Sequence, residues 1–418
     1  MLAVSHPTGN TFVRALLHTL QERSLLQTFF TTVAVHEDDW GLKLLPAKLR
    51  QQVLRRSYDV PHASLMRLPL REAIRQTASQ LKIDALVQHE SGWASLDAVY
   101  QELDARVASR LKGLKSAGLT GVYCYEDGAL QTFLVAQQLG LNRFYELPIA
   151  YWEKSAQLLA EEAARWPQWE PTLVGTRDSA AKLERKTREL ELAEVVIVPG
   201  AFVLDSLPEW ARRTKKCVVA PFGSPSIPDE IAEATQDRDS ASRPLRVLFA
   251  GSMTQRKGLA DLFAAIGLLN RNDVELVVMG TPVAPLDFYQ NQGVKFRYEA
   301  PRPHSQVLEL MRDCDVLALP SIIEGRALVQ QEAMMCGLPL LVTANAGGED
   351  LVEEGKTGFL VPIRSPETVA EKIGWFADHR GDLPPMRAAA RAKASTYSWE
   401  NYGQTIVETV TFLSHEET

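Results

Sequence analysis

Two glutamates with a helical spacing are the residues of this sequence whose type and separation best suit ligand chemistry. Glu324 and Glu332 are eight residues apart, which is roughly 12 Å of rise along a helix. Each carboxylate can accept hydrogen bonds from hydroxyl groups. A ligand with hydroxyls at both ends would therefore fit between the two side chains.

The segment around these glutamates predicts a strand, a turn and a helix. It reads VLALPSIIEGRALVQQEAMMCGLPLLVTANAGGEDLVEEGKTGFLVP over residues 316–362. We predict a strand that ends at Pro320 and a helix from about Arg326 to Cys336, which Gly337 ends. Both glutamates would then lie close to the first turns of one helix.

The start of this helix is suited to a diphosphate because its first amides are free donors at the positive end of the helix dipole. These amides belong to Gly325, Arg326, Ala327 and Leu328. Glu324 would then lie on the sugar side of the phosphates, and Glu332 would face a ribose. A plainer interpretation is open for each residue: Glu324 only complements the dipole, and Glu332 is a solvated helix residue.

Several other nucleotide and metal motifs are incomplete. GKTG at 355–358 lacks the first glycine of a phosphate-binding loop, because Asp350 stands five positions before Gly355. No G-x-G-x-x-G follows an opening strand, which disfavours an ordinary dehydrogenase. The D-x-D triplets at 237–239 and 313–315 lie in a linker and at the head of a strand, so we predict no metal site. H-E-x-x-H and G-x-S-x-G are also missing, which leaves zinc and serine hydrolases without support.

Composition indicates a soluble two-domain protein. The chain has 418 residues, and its 45 basic and 52 acidic side chains give a net charge of −7, which disfavours nucleic-acid binding. No apolar run reaches the roughly 18 residues of a spanning helix, and residues 1–9 do not resemble a signal peptide. The four cysteines form no C-x-x-C motif, so we expect reduced thiols and a cytoplasmic location.

The alternation of short apolar runs with helical patterns predicts an α/β protein with parallel sheets. The first series is LAVSH, FFTTVAV, GVYCYE, RFYELPI, EVVIVPG and KCVVAPFG; the second is RVLFAGS, ELVVMGT, VKFRYEA, DVLALPS, PLLVTA and GFLVP. Between them lies a polar stretch rich in Pro, Ser and Asp. We therefore predict two Rossmann-like domains, 1–224 and 245–396, a linker at 225–244, and a final helix within 397–418 that crosses back to the first domain. A cleft between the two sheets would bind the ligand.

The string E-x7-E followed by AMMCGLP resembles the signature of the family 4 glycosyltransferases (glycosyl transferases group 1), which use nucleotide sugars and have the GT-B fold. FAGSMTQRKGL at 249–259 is similar to the family's strand, glycine turn and basic pair. The resemblance implies that Gly251 forms the turn and that Arg256 and Lys257 reach the donor diphosphate. Many members carry arginine directly after the turn glycine, where this chain has Ser252. The guanidinium would then come from Arg256.

The first domain carries a weaker resemblance. HPTGNTFVRALLHTL resembles the family's loop after the first strand, which implies that Gly9 lets the backbone approach the donor. YCYEDGAL at 123–130 falls where many relatives have a histidine that contacts the transferred sugar, and this chain has none there. Glu126 is the candidate for that catalytic role.

Two features bear on the acceptor. The stretch 43–75 carries eight basic and two acidic side chains between apolar residues, so it could contact an anionic membrane leaflet or a phosphorylated acceptor; a solvated helix face is the alternative. Tyr151, Trp152, Trp166 and Trp169 could stack on a sugar or lipid, and core packing is the alternative.

The family resemblance implies a retaining, metal-independent glycosyltransferase that needs no cofactor, because the nucleotide sugar is itself a substrate. Its acceptor would be a hydroxyl of a glycan, a lipid-linked molecule or a small molecule, in cell-envelope or polysaccharide assembly. Two alternatives stay open. One is a GT-B epimerase or hydrolase that acts on the same donor, and the other is a GT-B module that binds without transfer.

Overall fold

The computed structural model describes residues 1–36, 39, 50, 53–54, 56–173, 175, 177–225 and 243–416, with side chains to residue 412. The predicted linker at 225–244 therefore lies almost wholly outside the described residues. The same holds for Lys43, Lys48 and Arg55 of the basic stretch. Within the described ranges the chain forms two α/β domains, as predicted.

The first domain has a seven-stranded parallel sheet in the order β3-β2-β1-β4-β5-β6-β7. Its strands are β1 (Leu2–Ser5), β2 (Leu26–Thr31), β3 (Leu65–Arg67), β4 (Gly121–Tyr125), β5 (Asn142–Glu146), β6 (Val195–Val198) and β7 (Lys216–Val219). Its helices are α1 (Thr11–Glu22), α2 (Pro69–Gln80), α3 (Asp84–Val87), α4 (Leu96–Ser116), α5 (Leu130–Gln138), α6 (Trp152–Arg165), α7 (Ala180–Leu192), α8 (Ala201–Ser206) and α9 (Glu209–Thr214). The central strands β1, β4 and β5 are almost wholly buried because helices cover both faces of the sheet.

The second domain has a six-stranded parallel sheet in the order β10-β9-β8-β11-β12-β13. Its strands are β8 (Leu245–Ala250), β9 (Val274–Met279), β10 (Arg297–Glu299), β11 (Val316–Leu319), β12 (Leu340–Val342) and β13 (Gly358–Leu360). The helices are α10 (Leu259–Leu269), α11 (Leu286–Gln290), α12 (His304–Asp313), α13 (Leu328–Met335), α14 (Pro366–Asp378), α15 (Leu383–Ser395) and α16 (Trp399–Glu416). The twelve predicted strands all form, and β3 is an additional one.

The final helix α16 packs against α1 of the first domain. A Cβ at Gly403 would overlap the Thr19 hydroxyl, so glycine is what allows the two helices to approach closely. Tyr402 on α16 also donates a hydrogen bond of 3.1 Å to the buried Glu146 at the end of β5. The last helix therefore completes the first domain.

Residues 152–172, which we call the interdomain brace, cross from the first domain to the second. Within this brace, the Trp169 side chain is 1% exposed and lies in the core of the second domain. Its ring centroid lies 5.7 Å from that of Phe263 and 5.1 Å from that of Phe288. The predicted boundary at residue 224 does not account for this crossing. Trp169 therefore packs in a hydrophobic core, which was the alternative to stacking on a sugar or lipid.

Polar contacts fix the same brace. Glu162 is fully buried and accepts hydrogen bonds from Gln255 at 2.6 Å and from Arg364 of the second domain. Arg165 forms a 2.6 Å ion pair with Asp261, which is also buried. Buried charges are costly unless paired, so these contacts hold the two domains in one relative position.

Replacing Trp169 with alanine should lower the free energy of unfolding by about 3–5 kcal/mol, because it leaves a cavity in the second domain's core. Urea denaturation followed by circular dichroism measures this. Trp210→Ala is the matched control, since that side chain lies 37% exposed on α9. Equal losses in the two variants would contradict the assignment of Trp169 to this core.

The Glu146 carboxyl supports a prediction about pH. Burial raises its pKa to about 7, although hydrogen bonds from Tyr123 and Tyr402 oppose the rise. The folded state thus binds this proton more tightly than the unfolded state, and the stabilisation present below pH 4.5 is lost as pH rises through 7.

Glu146→Gln should remove this pH-dependent loss of stability, because the amide keeps an acceptor for the tyrosine hydroxyls but does not ionise. The unfolding free energy of the variant minus that of the wild type should increase by roughly 2 kcal/mol between pH 5 and pH 8. Denaturant titration at both pH values measures it. A pH-independent difference would show that Glu146 titrates normally.

Candidate functional site

A cavity of about 900 Å³ lies between the two domains. Asn10, Phe12 and Pro148 line it from the first domain, and residues 250–252 and 324–329 line it from the second. Both groups follow parallel strands, so the cavity lies where the carboxyl ends of the two sheets face each other. Open parallel sheets bind ligands at this edge.

An ion-pair cluster stands in the wall of this interdomain cavity. Glu324 is 8% exposed, and its carboxylate contacts the Lys257 ammonium directly. The Arg256 guanidinium lies 3.2 Å from the same carboxylate oxygen and donates a 2.9 Å hydrogen bond to the carbonyl of Ile323. Burial alone would raise the pKa of Glu324, but Lys257 and Arg256 outweigh it and lower this pKa. The cluster therefore keeps a buried carboxylate charged.

The two basic residues face different spaces. Lys257 lines the interdomain cavity, whereas Arg256 lines a neighbouring cavity of about 510 Å³ together with Trp152 and Lys186. Lys257 lies across the backbone of Gly251, whose φ is +142°, and a Cβ there would be 2.9 Å from the lysine Cε. Glycine at 251 thus leaves the space through which Lys257 reaches the cavity.

The helix after Glu324 begins at Leu328 and not at Arg326, because residues 325–327 make contacts outside the helix. Gly325 forms an antiparallel bridge with Ile149 of the first domain, and a Cβ at 325 would overlap the Pro148 carbonyl. The Ala327 amide donates to the Ala346 carbonyl at 3.2 Å. The amide of Ala327 is therefore occupied, contrary to the predicted free donor.

Arg326 also differs from the prediction in its side chain. The guanidinium is buried and donates to Asp350 at 2.8 Å and to Gln331 at 3.0 Å, while Tyr397 lies under its face. Only its backbone is left to face a ligand. The amides of Leu328 and Val329 make no hydrogen bond to another described residue, so they are the free donors of this helix start.

Glu332 lines the interdomain cavity one turn further along α13. Its side chain is 23% exposed, and burial raises its pKa although His304 lies 3.9 Å away. Glu324, Glu332, Lys257 and the start of α13 thus share one cavity. His304 was missed by sequence analysis because a single histidine in PRPHSQ belongs to no motif.

Gly9 and Glu126 lie outside this cavity lining. A Cβ at Gly9 would overlap the Tyr58 ring, and the Gly9 amide donates to the Tyr58 hydroxyl at 2.6 Å. Glycine at position 9 therefore leaves room for the Tyr58 ring, and the neighbouring Asn10 lines the cavity instead. Glu126 lies 3.4 Å from Lys186 and lines two smaller cavities. Burial raises the pKa of Glu126 to about 7, although the nearby Lys186 ammonium opposes this rise.

The other candidate features have structural contacts. Tyr151 is fully buried and Trp152 lines the neighbouring cavity. Asp315 of one D-x-D triplet is buried against Arg243 at 2.7 Å and Arg387 at 2.6 Å. Among the described residues, His89, Glu90 and Asp178 form a group that could hold a metal ion. Lys182 lies 3.0 Å from Asp178 in that group. No helix in the described ranges is long and apolar enough to cross a bilayer.

Solved structures define the class of this fold. Sucrose-phosphate synthase from Thermosynechococcus elongatus superposes with a TM-score of 0.67 at 17% identity, over 99% of this chain and 98% of that chain. Alr3699/HepE from Anabaena, solved in complex with UDP, superposes with a TM-score of 0.59 at 16% identity, over 98% and 99%. The chain therefore has the GT-B fold, as predicted.

Sequence comparison then narrows the class. Residues 244–379 match the family model described as glycosyl transferases group 1. The D-inositol 3-phosphate glycosyltransferase of Corynebacterium urealyticum is 34% identical over 27% of this chain and 26% of its own length. The amylovoran biosynthesis glycosyltransferase AmsK of Erwinia amylovora is 27% identical over 38% and 42%. The chain thus spans less than half of these two relatives. The matches support a group 1 glycosyltransferase.

Proposed function

We propose that this protein is a retaining, metal-independent glycosyltransferase that moves a sugar from a nucleoside-diphosphate donor to a hydroxyl. The Lys257–Glu324 ion pair carries this proposal, because it lies in the interdomain cavity beside the free amides of α13. Cations and amides bind a diphosphate, and a carboxylate binds sugar hydroxyls. The match of residues 244–379 to group 1 glycosyl transferases supports the same assignment.

Each part of the donor has a proposed partner. Lys257 and the amides of Leu328 and Val329 bind the diphosphate, and Arg256 adds positive charge from the adjoining cavity. Glu324 orients the sugar. Glu332 accepts hydrogen bonds from the ribose hydroxyls. HepE is a GT-B protein solved with UDP, so a uridine nucleotide is the first donor to test.

In the proposed reaction, the bond between the anomeric carbon and the diphosphate oxygen breaks, and a bond to the acceptor oxygen forms on the same face. The acceptor proton leaves with the nucleoside diphosphate, and no covalent glycosyl-enzyme forms. Lys257, Arg256 and the α13 amides stabilise the negative charge that grows on the leaving group. These groups supply the charge neutralisation for which other transferases use a divalent ion.

A specific observation favours transfer over epimerisation or hydrolysis of the donor. Two further cavities adjoin the donor cavity, one of about 510 Å³ and one of about 190 Å³, and both are lined mainly by the first domain. An enzyme that acts on the donor alone needs no second binding space. The cavities would hold an acceptor and keep water from the anomeric carbon.

Mutation of the two glutamates should separate their roles. Glu332→Ala should weaken UDP and UDP-glucose alike, whereas Glu324→Ala should weaken UDP-glucose more than UDP. A lost hydrogen bond to a charged group costs about 1.5–3 kcal/mol, and isothermal calorimetry resolves such a change. Glu371→Ala is the control, since that side chain is 69% exposed. Equal losses of affinity for both ligands in both variants would contradict the assignment of Glu324 to the sugar and Glu332 to the ribose.

Metal dependence and stereochemistry test the mechanism together. Activity should survive EDTA, because Lys257, Arg256 and the α13 amides neutralise the leaving group. NMR of the first product formed should show the donor's anomeric configuration. An inverted anomer, or activity that EDTA abolishes and magnesium restores, would contradict the proposed mechanism.

We also propose a peripheral contact between the first domain and an anionic membrane leaflet, in the setting of cell-envelope or polysaccharide assembly. Leu70 is 69% exposed and Trp93 is 49% exposed, and Arg71 stacks 4.5 Å over the Trp93 ring. Arg56 and Arg75 are engaged instead by the buried Glu72, at 3.4 and 2.6 Å. Arg71 is also paired, with Glu102 at 3.3 Å. The exposed side chains of Leu70, Trp93 and Arg67 therefore carry the proposal, and the paired arginines do not.

Binding to vesicles that contain anionic lipid should fall with added salt and fall further in Leu70→Ser combined with Arg67→Glu, because both apolar insertion and charge attraction are removed. Sedimentation with anionic and neutral vesicles measures it. Glu371→Ala is again the control. Failure to sediment with anionic vesicles at low salt would return the stretch 43–75 to the solvated-face interpretation.

A further inference from the structure

Two smaller cavities, lined mainly by the first domain, adjoin the interdomain cavity. The one of about 190 Å³ shares Asn10, Phe12 and Pro148 with it, and the one of about 510 Å³ shares Ile149. Glu126 lines both smaller cavities. A molecule bound in them would lie directly beside a sugar held by Glu324.

Two hydrogen-bonding groups in the first-domain cavities lack a partner. His6 is 5% exposed, and its Nδ1 accepts a 3.0 Å hydrogen bond from the Thr8 amide. Burial lowers the pKa of His6 to about 3, so the ring is neutral and carries its proton on Nε2. No described residue hydrogen-bonds to this Nε2. The Oε1 atom of Glu126 is buried and has no partner among the described residues either.

The lysines near these groups are already engaged by carboxylates. Lys182 lies 2.9 Å from Asp97 and 3.0 Å from Asp178. Lys186 lies 3.4 Å from Glu126 and 3.5 Å from Asp178. Both lysines are 9% exposed, so turning either one to an added anion would break ion pairs that it makes in the folded protein.

Carboxyl groups outnumber basic side chains in the lining of the two cavities. Among the described residues, five acidic and three basic side chains line the two cavities. They are Asp97, Glu126, Asp127, Glu170, Asp178, Lys182, Lys186 and Arg256. Arg256 is itself paired with Glu324. Arg185 is likewise paired with Asp127 at 2.8 Å, so a phosphate in this space would meet carboxylates and only cations that are already paired.

We propose that these cavities bind an uncharged polyhydroxylated acceptor and reject its phosphorylated counterpart. His6 Nε2–H donates to one oxygen of the acceptor, and Glu126 accepts from one of its hydroxyls. The neutral histidine adds no attraction for a phosphate, and the carboxylates repel it. This inference rests on the proposed function, because it gives the substrate class of the same site.

The test compares acceptors that differ only by a phosphate. The pairs are glucose and glucose 6-phosphate, fructose and fructose 6-phosphate, and myo-inositol and inositol 3-phosphate. Each is incubated with the full chain and UDP-glucose, and products are measured by mass spectrometry. We expect the neutral member of a used pair to have a kcat/KM about tenfold or more above that of its phosphorylated partner. A preference for the phosphorylated member overturns the proposal.

Charge variants give a second readout. Asp178→Asn removes a partner of both Lys182 and Lys186. It should therefore lower the ratio of kcat/KM for the neutral acceptor to that for the phosphorylated one by about threefold or more. Asp205→Asn is the matched control, since that side chain is 73% exposed on α8, and it should leave the preference unchanged. The melting temperature of each variant shows that it folds. An unchanged preference in folded Asp178→Asn overturns the electrostatic basis of the proposal.

Failure of the two proposals can be distinguished by calorimetry with UDP. If UDP binds and no neutral polyol is glycosylated or bound in its presence, the acceptor proposal fails and the donor site stands. If neither UDP nor UDP-glucose binds, the proposed function itself fails.

Discussion

The buried contacts of Glu162 determine how the two domains face each other, and the functional cavity depends on that placement. Glu162 belongs to a first-domain helix, yet its partners Gln255 and Arg364 belong to the second domain. Trp169 follows it into the second domain's core. Lys257 and Asn10 come from different domains and line one cavity, so their separation is set by the brace at 152–172 and not by a linker alone.

Three buried glutamates show how local partners assign different charges to the same side chain. Glu324 lies beside two cations, which lower its pKa despite burial. Glu146 meets only tyrosine hydroxyls, and burial raises its pKa to about 7. Glu126 has one lysine nearby and a carboxylate neighbour, and its pKa also rises to about 7. Of these three, only Glu324 has neighbours that keep its carboxylate charged, which suits a group that accepts hydrogen bonds from a sugar.

Local pattern predicted what local interactions determine. The apolar runs gave twelve strands correctly, and the spacing of Glu324 and Glu332 placed both beside one helix start. The sequence could not show that Arg326 turns to Asp350, 24 residues away, or that Trp169 belongs to the other domain's core. Both depend on contacts between distant segments, which no periodicity encodes. β3 was missed because Leu65–Arg67 lies within the stretch 43–75, whose basic residues favoured a solvated helix face.

The packing of α16 on α1 has a consequence for synthesis on the ribosome. Val13, Leu16 and Leu20 of α1 are buried in the same core cluster as Tyr402, Ile406 and Val410 of α16. α1 is therefore synthesised well before α16, the helix that covers its apolar face. The nascent first domain exposes this face throughout translation of the second, which is when chaperones and aggregation compete for such surfaces.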